Sequence, residues 1–263
     1  MYTIVLATQK GGSGKSTLAI GLALAATEAG HNVRLIETDQ QGTLSNWQSR
    51  RGIAEPIVET VYGASDIEQR LEALDRGGVT LAIIDTAGGV SAATTAAIRH
   101  ADLCMIPARP SIADIEASAP TLSVARAWKK PFAFVLNQTP IRGQRINSAA
   151  SALGDEAARE MDEVLAHPFI VMRNDHQDAL TAGLAVSEFA PFSKSADEIR
   201  DLWKWVELRL GARLATEAEA IPAFEETAFP IILSPEHVKA TATEETAQPP
   251  ATLGDALAWD AGL

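Results

Sequence analysis

Apolar residues fall into short runs of two alternating kinds. Tyr2–Ala7, Asn32–Ile36, Val79–Ile84, Asp102–Pro107 and Phe132–Asn137 are brief and mostly apolar, as expected of strands buried on both faces of a parallel sheet. Pro56–Val61 and His167–Arg173 read as further short strands. Between these runs the spacing turns helical. Leu18–Ala29 and Thr43–Arg51 fit helices, and Asp66–Leu74 places Ile67, Leu71 and Leu74 on one face. One helix is expected from Asp114 to Trp128, another over Ala149–Ala166 and a short one over Gln177–Ala182. A last helix runs to about Leu214, with Ile199, Leu202, Trp203, Val206 and Leu210 on one side. Gly30 and Gly183 suit helix stops. Strand and helix in alternation predict a doubly wound, mostly parallel α/β sheet flanked by helices.

From Ala215 onward the pattern changes. Glu, Ala, Thr and Pro dominate, and Pro222, Pro230, Pro235, Pro249 and Pro250 interrupt any long helix. The expected organisation is a folded domain over residues 1–214 and an irregular acidic tail over residues 215–263. Two apolar islands, Phe229–Leu233 and Leu253–Trp259, interrupt the tail and are candidates for docking. The tail also holds most of the charge. The net charge of the chain is −12, while residues 214–263 carry nine acids against one lysine. The remainder is nearly balanced, so any DNA binding must rest on a local patch. Cys104 stands alone in an apolar run and reads as an inert core thiol. No run reaches the roughly 20 apolar residues that span a bilayer, and no signal peptide precedes the first strand. The expected setting is the cytoplasm, without membrane association.

The chemistry concentrates in Gln9-Lys10-Gly11-Gly12-Ser13-Gly14-Lys15-Ser16-Thr17, between the first strand and the first helix. Small residues there let backbone N–H groups converge on an anion, and the helix adds its positive end. Lys15 is placed to reach outer phosphates, and the Ser16 hydroxyl to hold Mg²⁺. Dinucleotide binding is a rival, since Glu37 lies about twenty residues beyond Gly12-x-Gly14. That fingerprint needs a third glycine where Thr17 stands, whereas Lys15-Ser16 is the pair a triphosphate and its metal require. The rival is set aside. A strict phosphate loop would also have glycine where Gln9 stands, and this chain adds a second lysine, Lys10.

Lys-Gly-Gly-x-Gly-Lys-Ser resembles the deviant Walker A box of the ParA/MinD family of P-loop ATPases. The resemblance implies ATP and Mg²⁺ as ligands, with Gly11, Gly12, Ser13, Gly14, Lys15, Ser16 and Thr17 around the phosphates. It makes Lys10 the signature lysine that reaches a partner subunit's phosphates in a homodimer formed on ATP. Glu37-Thr38-Asp39-Gln40-Gln41-Gly42 is similar to the family's Asp-x-Asp-Pro-Gln-Gly segment, which makes Asp39 the residue that orients the attacking water. On the residues alone, Asp39 could instead cap the next helix. Asp85 closes a buried strand, as a Walker B carboxylate does, and would hold Mg²⁺ directly or through water. Asn137 matches the family's adenine contact, although an Asn closing a strand is also a turn former. Pro107–Asp114 resembles the family's Pro-x-x-Pro-Ser-x-x-Asp turn, and Ser111 and Asp114 are read as turn architecture. Trp47 is read as a core anchor. The departures are Glu37, Gln40 and Ala87-Gly88, the last expected to loosen its loop.

Within the family, the acidic end argues against a MinD-like membrane helix, and one cysteine cannot supply the ligands of the iron–sulfur relatives. A single P-loop argues against an arsenite-pump ATPase. The small ParA type remains. It implies slow, partner-stimulated ATP hydrolysis, non-specific DNA binding on the nucleoid and a ParB-type partner. Positioning of a protein cargo through an adaptor is the alternative. Another is an ATP-binding scaffold with negligible hydrolysis. Relatives place basic residues near the last helix, which makes Arg173, Lys194, Arg200 and Lys204 the DNA candidates. Asp197, Glu198 and Asp201 interleave with them at helical spacing, so the same face could be a salt-bridged, solvated one.

Overall fold

The computed structural model describes residues 1–140 and 164–220. The polypeptide starts with strand β1 (Tyr2–Leu6) and helix α1 (Lys15–Glu28), followed by β2 (Val33–Glu37), α2 (Thr43–Arg50), β3 (Ile57–Thr60) and α3 (Ala64–Arg76). It continues through β4 (Leu81–Asp85), α4 (Ala92–His100), β5 (Leu103–Ala108), α5 (Ile112–Glu116), α6 (Ala119–Ala127) and β6 (Phe132–Leu136). The described residues end with α7 (Asp175–Thr181), α8 (Val186–Phe189) and α9 (Lys194–Ala220). The strands form one sheet in the order β3-β2-β4-β1-β5-β6, every pair parallel. The chain winds from β1 out to the β3 edge, returns as β4, then crosses to the other side through β5 and β6. The winding therefore reverses at β1, and the crevice of such a sheet opens at the carboxyl end of that strand.

Alternation along β1 explains the two layers. Ile4 and Leu6 face one core, shared with α1, α2 and α9, while Val5 and Ala7 face the other, shared with α3, α4 and α6. Helix α1 is apolar all round because it lies between the sheet and α9, with Leu18 through Ala26 buried. Gly21 makes that sandwich possible: a Cβ there would sit 3.1 Å from the Ile199 side chain. Trp47 is fully buried, as expected, and its indole N–H donates to the Leu184 carbonyl at 3.2 Å. Gly183 takes φ +72°, and a Cβ there would meet the Arg50 backbone at 2.6 Å, so α2 and the α7–α8 turn touch without an intervening side chain. Cys104 is fully buried and burial pushes its thiol up to about 12, which fits the inert reading.

Three expectations change. The single helix from Asp114 to Trp128 is two, because α6 begins over Ala119-Pro120, and Pro120 has no N–H to continue a helical ladder from α5. His167–Arg173 is not a strand. It makes one parallel bridge, Thr139 to Val171, and Pro168 cannot donate to a longer ladder. The last helix runs to Ala220, beyond Leu214. Arg142, Arg145, nearly all of the expected helix Ala149–Ala166 and both tail islands lie outside the described residues. Among the described residues no helix is long and apolar enough to cross a membrane.

Candidate active site

The loop between β1 and α1 is built around two glycines at positive φ, Gly12 (+74°) and Gly14 (+91°), a conformation that costs other residues dearly. Behind it, the Asn137 amide donates to the Ser13 carbonyl at 2.8 Å, and the Gln138 amide donates to the Gly12 carbonyl at 2.9 Å. These bonds hold the loop's carbonyls away from the crevice. Ser13 Oγ is buried without a hydrogen-bond partner. Lys15 is 7% exposed, and its ammonium makes one long bond, 3.5 Å, to the Lys10 carbonyl. Burial pushes the Lys15 ammonium below its usual range, while Asp85 and Asp39 pull it back up.

Parallel register brings the carboxylates to this lysine. Asp85 lies opposite Leu6 on one side and Glu37 on the other, so the ends of β1, β4 and β2 are level. The Asp85 side chain is almost completely buried, and no hydrogen bond of good geometry reaches either oxygen. Burial pushes its carboxyl up to about 7, opposed by the Ser16 hydroxyl and Lys15 and reinforced by Glu37 and Asp39. Asp39 does not cap α2. Its Oδ1 accepts from the Gln41 N–H at 3.0 Å, within its own turn. The cap comes from Glu37, which is fully buried and accepts from the Leu44 N–H (2.6 Å), the Ser45 N–H (3.2 Å) and the Ser45 hydroxyl. An Asp would be one methylene shorter, so the longer residue gives this position a structural task at the head of α2. The loop after β4 is tied rather than loose: the Gly89 N–H donates to the Thr8 carbonyl, and a Cβ on Gly88 would lie 3.4 Å from the Gln9 carbonyl.

A buried carboxylate and a buried hydroxyl without partners, together with a buried ammonium, call for an anion and a hard cation to satisfy them. Among the described residues no group of three or more His, Cys, Asp or Glu could hold a metal alone. Ser16 and Asp85 therefore suit a Mg²⁺ that brings phosphate and water oxygens with it. Residues 4–186 match the CobQ/CobB/MinD/ParA nucleotide binding domain. The chain belongs to this family. Protein ParA of Rhizobium radiobacter is 31% identical over 125 residues, 47% of this chain and 56% of that one. Maintenance of carboxysome distribution protein A of Halothiobacillus neapolitanus is 26% identical over 212 residues, 76% of this chain and 94% of that one. The septum site-determining protein MinD from Pyrococcus horikoshii, complexed with Mg-ADP, superimposes with a TM-score of 0.61 at 17% identity, over 81% of this chain and 98% of that one.

Against the ParA/MinD pattern, Lys10 stands apart from the cradle that Lys15 fills. Its side chain is 37% exposed and its Nζ lies 2.7 Å from Asp114 Oδ1. Asp114, 4% exposed, also accepts from Arg109 Nε at 2.5 Å. Burial alone would raise the Asp114 carboxyl, but the bonds from Arg109 and Lys10 outweigh it and hold it at about 2. Ser111 provides the cap of α5, its hydroxyl accepting from the Asp114 N–H. Asp114 is thus more than turn architecture, and no local pattern signals this, since Lys10 is 104 residues away.

The candidate DNA residues do not form an open basic patch. Arg173 is held by both oxygens of Glu198 at 2.7 and 2.8 Å. Arg200 pairs with Asp197 at 2.7 Å and also donates to the Pro191 carbonyl. Lys204 pairs with Asp201 at 2.8 Å. Lys194 is exposed at the start of α9.

Proposed function

We propose that the chain is a Mg²⁺-dependent ATPase that pairs with a second copy on binding ATP. In that state it binds DNA without regard to sequence and positions plasmid or chromosomal DNA with a ParB-type partner, on the nucleoid in the cytoplasm. The observation that carries this reading is the pair of lysines. Lys15 occupies its own cradle, buried, while Lys10 is partly exposed at the rim, its charge held only by a carboxylate that has a second cation. A lysine so placed has no phosphate of its own to serve and suits one facing it from another subunit. Residues 1–214 would form the ATPase domain and residues 215–263 an acidic tail that competes with DNA. Mg²⁺ held by Ser16 and Asp85 would neutralise charge on the phosphate oxygens. Asp39 is the carboxylate left to orient water.

One observation favours a second reading, the positioning of a protein cargo through an adaptor. Three of the four candidate DNA cations are neutralised by acids on or beside α9, and the Halothiobacillus relative aligns over 94% of its length. Sedimentation of the full chain with a slowly hydrolysed ATP analogue and an unrelated DNA duplex separates the two. DNA partition requires a dimer that co-sediments with the duplex at low salt and is released steeply as salt rises. A dimer that ignores DNA favours the cargo reading. Lys10→Ala should leave monomeric nucleotide binding within about twofold and weaken dimerisation by at least about tenfold, the order of one charge-assisted contact. Undiminished dimerisation would remove Lys10 from the interface.

Asp85 makes metal binding depend on pH. With its carboxyl at about 7 in the ligand-free protein, a cation must displace a proton below neutrality. Mg²⁺ affinity in the presence of nucleotide is expected to fall up to about tenfold per pH unit below 7 and to level off above it. By the same sign, the ligand-free fold loses stability as pH rises from the ordinary carboxylate range through 7, because the native state holds that proton more tightly than the unfolded chain. Calorimetric Mg²⁺ titrations between pH 6 and 8 test this. Asp85→Asn reports the pH dependence of the nucleotide alone, and identical profiles would contradict the assignment.

A further inference from the structure

A nucleotide held by this loop can extend its base in one direction only. The carboxylates of Asp85 and Asp39 follow β4 and β2, on one side of β1, so the hydrolysed end of the triphosphate belongs there. The base must leave on the opposite side, toward β6. A cavity of about 120 Å³ lies on that side, bordered by Gly14 of the loop, Thr17 of α1, Asn137 after β6, Met172 and Arg173, and His176 in the first turn of α7.

Several of its polar groups are committed to the protein. The Asn137 side chain is 5% exposed, its amide donates to Ser13 and its carbonyl accepts from the Gln138 N–H at 2.9 Å. It lies so close to the loop that a Cβ on Gly14 would be 2.1 Å from its Nδ2. The Arg173 guanidinium is gripped by Glu198. His176 differs: its Nε2 is buried and has no hydrogen-bond partner. Burial pushes the imidazole below its ordinary range, against the pull of Glu198 and Asp175 and with a smaller push from Arg173. The ring is therefore neutral at pH 7, with one nitrogen bearing a proton and the other a lone pair. Buried polar atoms without partners are uncommon in native proteins, and His176, which carries one, also borders the cavity beside the phosphate loop.

We propose that His176 is the base-reading residue of this site: its Nε2 makes the hydrogen bond that selects a purine nucleotide, while Asn137 serves as a brace that shapes the phosphate loop. Met172, 62% exposed at the rim, supplies an apolar surface for the ring face. This rests on the nucleotide-binding reading above and replaces the base contact expected of Asn137.

Calorimetry with the full chain and Mg²⁺ tests it, with ATP and inorganic tripolyphosphate as separate probes. His176→Ala should weaken ATP about tenfold, the order of one lost hydrogen bond in a buried site, and leave tripolyphosphate unchanged. His176→Gln, which keeps a donor and an acceptor, should restore most of the loss. Asn137→Ala should weaken ATP and tripolyphosphate together, because the loop itself loosens. The proposal is overturned if His176→Ala binds ATP like the parent, if it loses tripolyphosphate in equal proportion, or if Asn137→Ala loses ATP alone. A parent protein that binds neither probe would instead sink the nucleotide reading itself.

Discussion

Lys15→Ala is expected to abolish ATP binding and, with it, ATP-driven dimerisation. Lys15 is the buried cation of the cradle, and its ammonium rests on a single 3.5 Å contact to the Lys10 carbonyl. Burial disfavours its charge, a penalty that a bound anion relieves. Without it, the phosphates would meet the carboxylates of Asp85 and Asp39 with only the metal ion to offset them. Like charge in a low-dielectric crevice costs several kcal/mol, enough to weaken binding by more than about a thousandfold. The measurement is equilibrium binding of ATP with Mg²⁺, followed by sedimentation. Retention of ATP within about tenfold of the parent would show that the loop's backbone carries the phosphates unaided.

Asp39→Ala should part the two functions. Its carboxylate makes one bond, to the Gln41 N–H, and contributes nothing to the loop or to α2, whose head is capped by Glu37. ATP binding should survive: the Lys15 ammonium loses some support, but a carboxylate that repels the phosphates is removed with it. Turnover should fall by about 10²–10⁴-fold, the range for loss of a positioned acid–base group. Single-turnover hydrolysis with partner and DNA present would test this. Undiminished hydrolysis assigns the water to another group. A parent protein that binds ATP and hydrolyses none places the chain among ATP-binding scaffolds.

The parts of this protein visible in the sequence are those set by local pattern. The β1-to-α1 loop declares itself because its glycines, lysine and hydroxyls are consecutive, and Asp85 because it ends an unbroken apolar strand. Glu37 was harder to place. Its length identifies a departure from the family, but its task depends on where α2 begins in space, and Gly42 sets that by adopting φ +67°. The ion pairs within α9 follow from three-residue spacing, whereas Arg173–Glu198 joins positions 25 apart. Asn137 and Gln138 reach the loop from more than a hundred residues away. The family resemblance puts Asn137 at the nucleotide, but nothing near Gln138 or His176 in sequence marks their place beside it, which the sheet order creates. Pro120 and Pro168 each stand inside a run whose pattern predicts one continuous element, and each divides or shortens it.

If Lys10 serves a second copy as proposed, Asp114 sets how readily it can be released. A buried carboxylate that loses its only cation is left bare, and such a rupture is severe. Asp114 also accepts from Arg109, through Nε at 2.5 Å and Nη2 at 3.3 Å. On the proposed dimer, the anion would therefore stay neutralised after Lys10 turned to the phosphates of a second copy. Arg109 would then hold the carboxylate alone, and the lysine could leave and return without baring a buried charge.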